Sequence, residues 1–194
     1  MPKLRSLCVY CGAQAGHDPA HRAAAEELGR LLARQGTELV FGGGRVGLMG
    51  ILADACLAAG GRVVGIIPRR LYTIEIAHAG VSELVVVDNM HERKRRMVER
   101  ASAVAVLPGA LGTLDETMEV ATWRQIGLHD LPIGILDIGG YWQPLLALID
   151  HAIAAGYGPD ALRDYFTVAD SVPALLATLE AAPAPRFAFQ DRWA

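Results

Sequence analysis

Residues 37–67 read TELVFGGGRVGLMGILADACLAAGGRVVGII, and this stretch decides the fold. It begins with the apolar run TELVF and passes through a glycine-rich turn into a helical segment that ends at Ala58-Ala59-Gly60-Gly61. It then returns to a second apolar run, RVVGII, at residues 62–67. Apolar runs of strand length that alternate with helical segments are typical of a parallel sheet buried on both faces. The stretch therefore predicts two parallel strands joined by a covering helix.

The same alternation continues along the rest of the chain. Strands are predicted at 4–10, 37–41, 62–67, 82–88, 103–107, 132–136 and 165–169. Helices are predicted at 19–35, between the two strands quoted above, and at 90–101, 113–126, 142–155 and 171–181. This order predicts an α/β fold, a Rossmann-like three-layer sandwich with a mostly parallel sheet and helices on both faces. We expect a single domain over residues 1–182 and a C-terminal tail at 183–194.

The composition excludes several classes of protein. The chain has 194 residues, is 52% hydrophobic and 20% charged, and carries a formal net charge of -3. These values indicate a globular protein without membrane spans, and the net charge argues against non-specific nucleic-acid binding. The N-terminal sequence MPKLRSLCVYCG lacks the pattern of a signal peptide, so a soluble, cytoplasmic protein is expected.

Cysteine and histidine are too sparse to indicate a metal site. Cys8 and Cys11 have the spacing of a redox motif, but no second pair follows that could complete a zinc site. A structural pair of thiols at a strand end is the favoured interpretation. His17 and His21 could share a helix face, yet a third ligand is missing. We predict neither a metal nor a cofactor.

The glycine-rich turn after the second strand fits the pattern G-x-G-x-x-G at Gly42, Gly44 and Gly47. A dinucleotide site would require an acidic residue at the end of the next strand to bind the ribose. That strand ends instead in IIPRR at 66–70. A tight turn that lines a phosphate site is therefore favoured, with Gly43 and Gly44 as candidate residues.

The segment HERKRRMVER at 91–100 concentrates positive charge on a predicted helix. A solvated helix face explains the later cations, because Glu92 lies opposite Arg95 and Arg96. It does not explain Arg93 and Lys94, which fall near the helix N-terminus, where the helix dipole disfavours positive charge. A bound anion beside this helix would explain them.

The segment LPGALGTLDE at 107–116 joins the fifth strand to the next helix. Its structural interpretation is a capping box, with Thr113 as the N-cap and Glu116 folding back onto the backbone of Thr113. Its functional interpretation is a glycine loop whose amides hold a phosphate at a helix N-terminus. Asp115 and Glu116 would then face the sugar of a nucleoside monophosphate.

Taken together, these motifs resemble the LONELY GUY (LOG) family of phosphoribohydrolases, which release cytokinin bases from their riboside 5′-monophosphates. PGALGTLDE is similar to the family signature PGGxGTxxE. The other matching segments follow in the family's order: CVYCGA, LVFGGGRVGLMG, GIIPRRL, ELVVVDNMHERK and TWRQIGLHDLPIGIL. Bacterial relatives are also described as AMP nucleosidases, and the family long carried the label "lysine decarboxylase". That label has no support in a chain whose only lysines are Lys3 and Lys94.

The resemblance implies roles for individual residues. Arg93 and Glu116 match the catalytic arginine and glutamate of the family. Further positions match residues that line the nucleotide: Glu75, Lys94, Gly109, Ala110, Leu111, Gly112, Thr113, Leu114, Asp115 and Thr122. The family also implies a homodimer whose partner subunit contributes near the site. Two departures stand out, because Ala110 replaces the second glycine of the signature and Asp115 replaces the commoner glutamate.

The leading hypothesis is hydrolysis of the N-glycosidic bond of a purine nucleoside 5′-monophosphate to free base and ribose 5-phosphate. Glu116 would stabilise an oxocarbenium-like sugar and activate water, whereas Arg93 would bind either the phosphate or the departing base. AMP and N6-prenylated AMP both remain open as substrates. The alternative is a non-catalytic carrier that resembles molybdenum-cofactor carrier proteins, since fold alone does not distinguish the two.

Overall fold

The chain folds around one seven-stranded sheet. A computed structural model describes residues 4–74, 76–183 and 186. The strands are β1 Ser6–Tyr10, β2 Glu38–Phe41, β3 Val63–Pro68, β4 Glu83–Val87, β5 Ala103–Val106, β6 Ile133–Leu136 and β7 Phe166–Ala169. The α-helices are α1 Pro19–Gln35, α2 Gly47–Ala58, α3 Leu71–Ile74, α4 Met90–Arg100, α5 Leu111–Gln125, α6 Gln143–Ala154 and α7 Val172–Ala181. Two 3-10 helices span Ile138–Gly140 and Asp160–Tyr165.

All neighbouring strands in the sheet are parallel, in the order β4-β3-β2-β1-β5-β6-β7. The chain builds outward from β1 in one direction and then outward from β5 in the other. The sheet therefore changes direction between β1 and β5, which is where α/β sheets bind their ligands. The predicted α/β fold with a parallel sheet is confirmed.

Two apolar cores separate the sheet from its helices. Along β1, Leu7 and Val9 pack into the core beneath α1, α2 and α7, whereas Cys8 and Tyr10 pack into the core beneath α4, α5 and α6. This alternation follows from the twofold periodicity of a strand whose two faces are both buried. The result is the predicted three-layer arrangement with helices on both faces.

The predicted N-terminus of α1 is confirmed, whereas the predicted N-terminus of α5 is wrong. Asp18 accepts a hydrogen bond from the Ala20 N–H at 2.8 Å, with Pro19 as the first helical residue. In contrast, α5 begins at Leu111 rather than at 113, with Ala110 as its N-cap and no capping hydrogen bond from a side chain. The predicted capping box of Thr113 and Glu116 is therefore wrong, because both residues already lie inside the helix.

A capping arrangement of this kind occurs instead at the start of α4. The Asn89 side chain accepts a hydrogen bond from the Glu92 N–H at 2.9 Å, and Glu92 accepts one from the Asp88 N–H at 3.2 Å. Glu92 also pairs with Arg96 at 3.2 Å, as predicted. Arg95, which was expected to share Glu92, pairs with Glu99 at 3.5 Å.

The edge of the sheet where the strands begin carries a network of ion pairs. Arg100 and Arg62 each contact both Glu38 and Glu83, at distances of 2.7–2.8 Å. Although partial burial raises the pKa of Glu38, its hydrogen bonds with the two arginines lower it below its usual value overall. These charges join β2, β3, β4 and α4 at the end of the sheet opposite to the candidate site.

The structure says little about the tail at 183–194, because only Pro183 and Arg186 lie within the described residues. Arg186 pairs with Asp130 at 2.9 Å. None of the helices in the described ranges is both long enough and apolar enough to cross a membrane.

Candidate active site

A cavity of about 410 Å³ opens where the sheet changes direction. Its walls come from the loops after β1 and β5, the N-termini of α2 and α4, and the turn after β6. The polar side chains Arg93 and Glu116 share this cavity with His21, Thr113 and Tyr141. The position agrees with the rule that ligands bind beyond the carboxyl ends of the strands at such a switch point.

The loops after β1 and β5 are held together at the floor of the cavity. Leu107 donates its N–H to the Tyr10 carbonyl at 2.9 Å, and Gly12 donates to the Pro108 carbonyl at 3.0 Å. A Cβ at Gly109 would overlap the side chain of Thr113 and approach the Gly12 nitrogen to 2.9 Å. Glycine at 109 is therefore required by close packing between the two loops.

Residues 108–113, referred to below as the 108–113 turn, present the N-terminus of α5 to the cavity. Gly112 and Thr113 line the cavity as the second and third residues of the helix, where amide groups lack intrahelical partners. Ala110 has φ -107° and is therefore free of left-handed strain. The methyl group that replaces the family glycine thus does not strain the backbone here. Unsatisfied amides at the positive end of a helix dipole suit an anion such as phosphate.

Glu116 and Arg93 form the charged pair of the site. Arg93 Nη2 lies 4.0 Å from Glu116 Oε1, and both side chains are at most about a tenth exposed. Arg93 also contacts Met90 Sδ at 3.7 Å. A Cβ at Gly42 would overlap the Arg93 guanidinium. The glycine-rich turn after β2 therefore makes room for Arg93.

Lys94 is held in an ion-pair network next to the cavity. Its ammonium lies 2.7 Å from Glu119 and 3.0 Å from Asp115, and only 6% of its side chain is exposed. Burial on its own would lower the pKa of Lys94, but the two carboxylates raise it. Lys94 consequently joins α4 to α5 as a cation, and nothing in this setting favours the neutral amine that a Schiff base would require.

The structure brings together six of the residues singled out in the sequence. Those that line the cavity are Arg93, Gly109, Ala110, Gly112, Thr113 and Glu116. Those that lie outside its lining are Gly43, Gly44, Lys94, Leu111, Leu114, Asp115 and Thr122. Gly43 and Gly44 pair instead with the backbone of the segment at 77–78. Glu75 lies outside the described residues.

Sequence reasoning missed the loop after β1 and the turn after β6. The segment CGAQAG at 11–16 lines one wall, with His21 of α1 behind it, and Tyr141 follows β6. The signal for the first wall was its two glycines directly after a strand, since this pattern is typical of ligand-binding loops. No sequence signal indicated that Tyr141 would reach the same cavity.

Another part of the cavity wall is apolar. It is formed by Leu48 and Met49 of α2, Leu71 of α3 and Met90 of α4. Met90 is 36% exposed, whereas Leu48 and Met49 are buried. A surface of flexible methionine and leucine side chains can accept a planar base or an aliphatic substituent.

Two thiols lie at the floor of the site. Cys8 and Cys11 are free and buried, and their structural role stays a prediction. Burial, together with the negative charge of Glu116, raises the pKa of the Cys11 thiol far above its usual range. A neutral, buried thiol is a poor nucleophile. Within the described ranges, no group of three or more His, Cys, Asp or Glu side chains could hold a metal ion.

Sequence comparison identifies close relatives. The profile of a family described as "Possible lysine decarboxylase" matches residues 49–179. The chain is 43% identical to "Probable cytokinin riboside 5'-monophosphate phosphoribohydrolase LOGL9" of Oryza sativa subsp. japonica, covering 92% of this chain and 78% of the rice protein. It is 40% identical to "Cytokinin riboside 5'-monophosphate phosphoribohydrolase LOG1" of Arabidopsis thaliana, covering 92% and 84% of the two chains.

Solved structures with the same fold are more distant in sequence. The molybdenum cofactor binding protein of Rippkaea orientalis superimposes with a TM-score of 0.68 at 21% identity, covering 91% of this chain and 95% of that one. The molybdenum cofactor carrier protein of Chlamydomonas reinhardtii gives a TM-score of 0.69 at 19% identity, covering 90% and 95%. At these identities the likeness concerns the fold alone.

Proposed function

This chain belongs to the LOG family of cytokinin riboside 5′-monophosphate phosphoribohydrolases, and we infer that it hydrolyses the N-glycosidic bond of a purine nucleoside 5′-monophosphate. The products are the free base and ribose 5-phosphate. The observation that carries this proposal is the cavity where Glu116 and Arg93 meet beside the N-terminus of α5. The N-terminus of α5 suits a phosphate group, and Glu116 places a carboxylate in the same cavity.

The mechanism follows from this division of the site. The amides of Gly112 and Thr113 bind the 5′-phosphate, which places the ribose toward Glu116, about one helical turn farther along α5. As the bond between C1′ and the base breaks, its electron pair leaves with the base and positive charge develops on the sugar. Glu116 stabilises that charge and accepts a proton from the attacking water, whose oxygen forms the new bond to C1′; the base gains a proton as it leaves, so the elements of water are divided between the two products.

Arg93 is proposed to stabilise negative charge on the substrate, either on the phosphate or on the departing base. Its guanidinium lines the cavity in the space left by Gly42, beside Met90 and Glu116, where a bound substrate would meet it. A fixed cation stabilises the transition state without reorganisation at the moment of reaction. Whether it contacts the phosphate or the departing base is decided by the ligand's orientation.

The proposal is tested by incubating the protein with AMP and separating the products by chromatography. We expect adenine and ribose 5-phosphate in equal amounts, and much slower release of adenine from adenosine. The difference arises because the phosphate holds the substrate through contacts remote from the reacting bond. Equal turnover of AMP and adenosine would contradict this use of the phosphate, and no adenine from either would contradict the activity.

The base is proposed to be adenine or an N6-modified adenine. The apolar wall of Leu48, Met49, Leu71 and Met90 supports this class, because it can bury a purine and an aliphatic substituent. The kcat/KM for AMP against that for isopentenyladenosine monophosphate distinguishes an AMP nucleosidase from a cytokinin-producing enzyme. A larger value for the prenylated substrate would favour the activity in the relatives' names.

The protein is further proposed to act as a homodimer. α5 and its C-cap residue Ile126 expose an apolar stripe on the side of the helix that carries Thr122: Leu111, Met118 and Ile126 are 83%, 36% and 65% exposed. An exposed apolar stripe is typical of an interaction surface. Because it begins at the first residue of α5, a partner that covers it would also approach the cavity.

The carrier alternative is less well supported than the hydrolase. Its support is a likeness of fold, whereas simple phosphate binding has little use for a buried carboxylate such as Glu116 in the same cavity. A cytoplasmic location stays a prediction of the sequence.

A further inference from the structure

Tyr141 links the turn after β6 to the 108–113 turn. Its hydroxyl donates a hydrogen bond to the Gly109 carbonyl at 2.7 Å, and both residues line the cavity. The contact joins positions 32 residues apart in the chain. Neither the sequence motifs nor the catalytic mechanism described above assigns a role to it.

The turn after β6 is built to present this tyrosine. Gly139 and Gly140 have φ 63° and 77°, a left-handed conformation that glycine adopts at little cost. The buried carboxylate of Asp137 then accepts hydrogen bonds from the Trp142 N–H at 2.7 Å and from the Gln143 side chain at 2.5 Å. The backbone on both sides of Tyr141 is therefore fixed.

The ring of Tyr141 is supported from two sides. It meets His21 edge-to-face with centroids 5.2 Å apart, and it meets Trp142 in the same manner at 4.9 Å. Edge-to-face pairs of this geometry are favourable and directional. His21 is itself 92% buried on α1, so its ring offers a rigid support.

The 108–113 turn has a particular need for such a restraint. Close packing against Thr113 requires glycine at 109, but glycine also gives the backbone the greatest conformational freedom. The carbonyl that Tyr141 holds belongs to the peptide immediately before the N-cap Ala110. A fixed peptide plane at this point determines the direction in which α5 begins. It therefore determines where the N–H groups of the first turn of α5 point.

We propose that Tyr141 is a positioning residue that holds the 108–113 turn in its phosphate-binding conformation through the Gly109 carbonyl, and that His21 supports the Tyr141 ring. This inference rests on the proposed function, because it assumes that the turn binds the substrate phosphate. It predicts that the two side chains affect the phosphate end of the site selectively. They should leave the base end unchanged.

The first test replaces Tyr141 by phenylalanine, which removes the hydroxyl and keeps the ring. We expect the KM for AMP and the inhibition constant of ribose 5-phosphate to rise about five- to tenfold, the loss associated with one hydrogen bond. The inhibition constant of adenine should change by less than about threefold, since free adenine has no phosphate group for the 108–113 turn to hold. Tyr157→Phe serves as the matched control, because Tyr157 is 89% exposed and lies outside the cavity lining.

An unchanged inhibition constant for ribose 5-phosphate would overturn the proposal, as would an equal loss of affinity for adenine. A wild-type protein that neither cleaves AMP nor binds ribose 5-phosphate would overturn the proposed function itself. The two failures are therefore distinguishable.

The second test concerns His21. His21→Ala should weaken ribose 5-phosphate in the wild-type background but have little further effect when combined with Tyr141→Phe, because both changes act through one hydrogen bond. His21→Phe, which keeps an aromatic edge, should retain most of the affinity. Fully additive effects would overturn the role assigned to His21.

Discussion

Glu116 is the sixth residue of α5, which is too far along the helix to cap it. We expect Glu116→Gln to lower the free energy of unfolding by about 1–3 kcal/mol, because no cap is lost but the buried Arg93 guanidinium loses its counter-charge. Release of adenine from AMP should fall about 100-fold or more, since the amide can neither accept the proton nor balance the sugar's charge. Denaturant unfolding and initial rates measure the two effects.

Glu26→Gln is a suitable control for this variant, because Glu26 pairs with Arg22 on the outer side of α1, outside the cavity lining. It should leave both quantities near their wild-type values. A folded Glu116→Gln variant that releases adenine at the wild-type rate would remove Glu116 from the mechanism.

Gly42 tests the space reserved for Arg93. A Cβ at this position overlaps the guanidinium, so Gly42→Ala should displace Arg93 and destabilise the fold by about 1–3 kcal/mol, as overpacking does. Activity should fall with it. The same substitution should cost much less stability when Arg93 is already alanine. Equal costs in the two backgrounds, measured by denaturant unfolding, would show that the two residues are not coupled.

Residue chemistry made part of the site predictable. Arg93 and Glu116 were singled out as a charged pair, and the structure brings them together 4.0 Å apart. The role of Gly42 was not predictable, because the glycine pattern that suggests a phosphate turn is here explained by a side chain from α4. A glycine in a sequence indicates that a side chain would not fit at that position, but it does not indicate which group occupies the space.

At the scale of the elements, a buried histidine in the loop after α5 links the helix to the segment that leads into β6. His129 Nε2 contacts the Val120 carbonyl at 2.8 Å, and Nδ1 accepts a hydrogen bond from the Leu131 N–H at 3.1 Å. Burial, together with the nearby Arg124, lowers the pKa of His129 below its usual value of 6.5. The folded protein therefore binds a proton at this ring less readily than the unfolded chain does.

Because the unfolded chain binds a proton at His129 more readily than the folded one, stability should decline as the pH falls below about 6.5. We expect His129→Gln to flatten the pH dependence of the unfolding free energy between about pH 7 and pH 5.5, even if it lowers stability at every pH. His17→Gln, which removes a histidine at an exposed position, is the matched control. Parallel pH profiles for wild type and His129→Gln would contradict this assignment.

The elements themselves were predicted well where hydrophobic periodicity governs them. All seven strands and the six longer helices occur close to the expected positions. The start of α5 was misplaced because TLDE has the local composition of a capping box, whereas the close packing of Gly109 on Thr113 and Gly12 starts the helix earlier. Contacts between loops distant in sequence override a local signal of about 1 kcal/mol.

At the scale of the whole molecule, the stripe on α5 tests the proposed dimer. Ile126→Glu should convert the dimer to a monomer, because a carboxylate buried between two apolar surfaces is strongly unfavourable. Light scattering coupled to size-exclusion chromatography measures the mass directly. Leu148→Glu is the matched control, since Leu148 is a 62% exposed leucine on a different helix, α6. A wild-type monomer, or an unaffected dimer in the Ile126 variant, would contradict the proposed interface.

The order of the strands explains why the site was only partly foreseen. Sequence periodicity indicated a parallel sheet, but the position of β1 next to β5 depends on pairing between segments about 95 residues apart. Without that order, the loop after β1 could not be placed opposite the 108–113 turn. The contribution of Tyr141 was hidden for the same reason, because β6 is the neighbour of β5 on its other side.

The overlap between position 42 and the Arg93 guanidinium also restricts the routes by which such a sequence can diverge. A side chain at 42 is accommodated only if the guanidinium of Arg93 shifts, so the turn after β2 cannot vary without a change in the position of this cation. In a lineage descended from this protein, we therefore expect a residue larger than glycine at 42 to appear together with a change at position 93 or in the side chains around it.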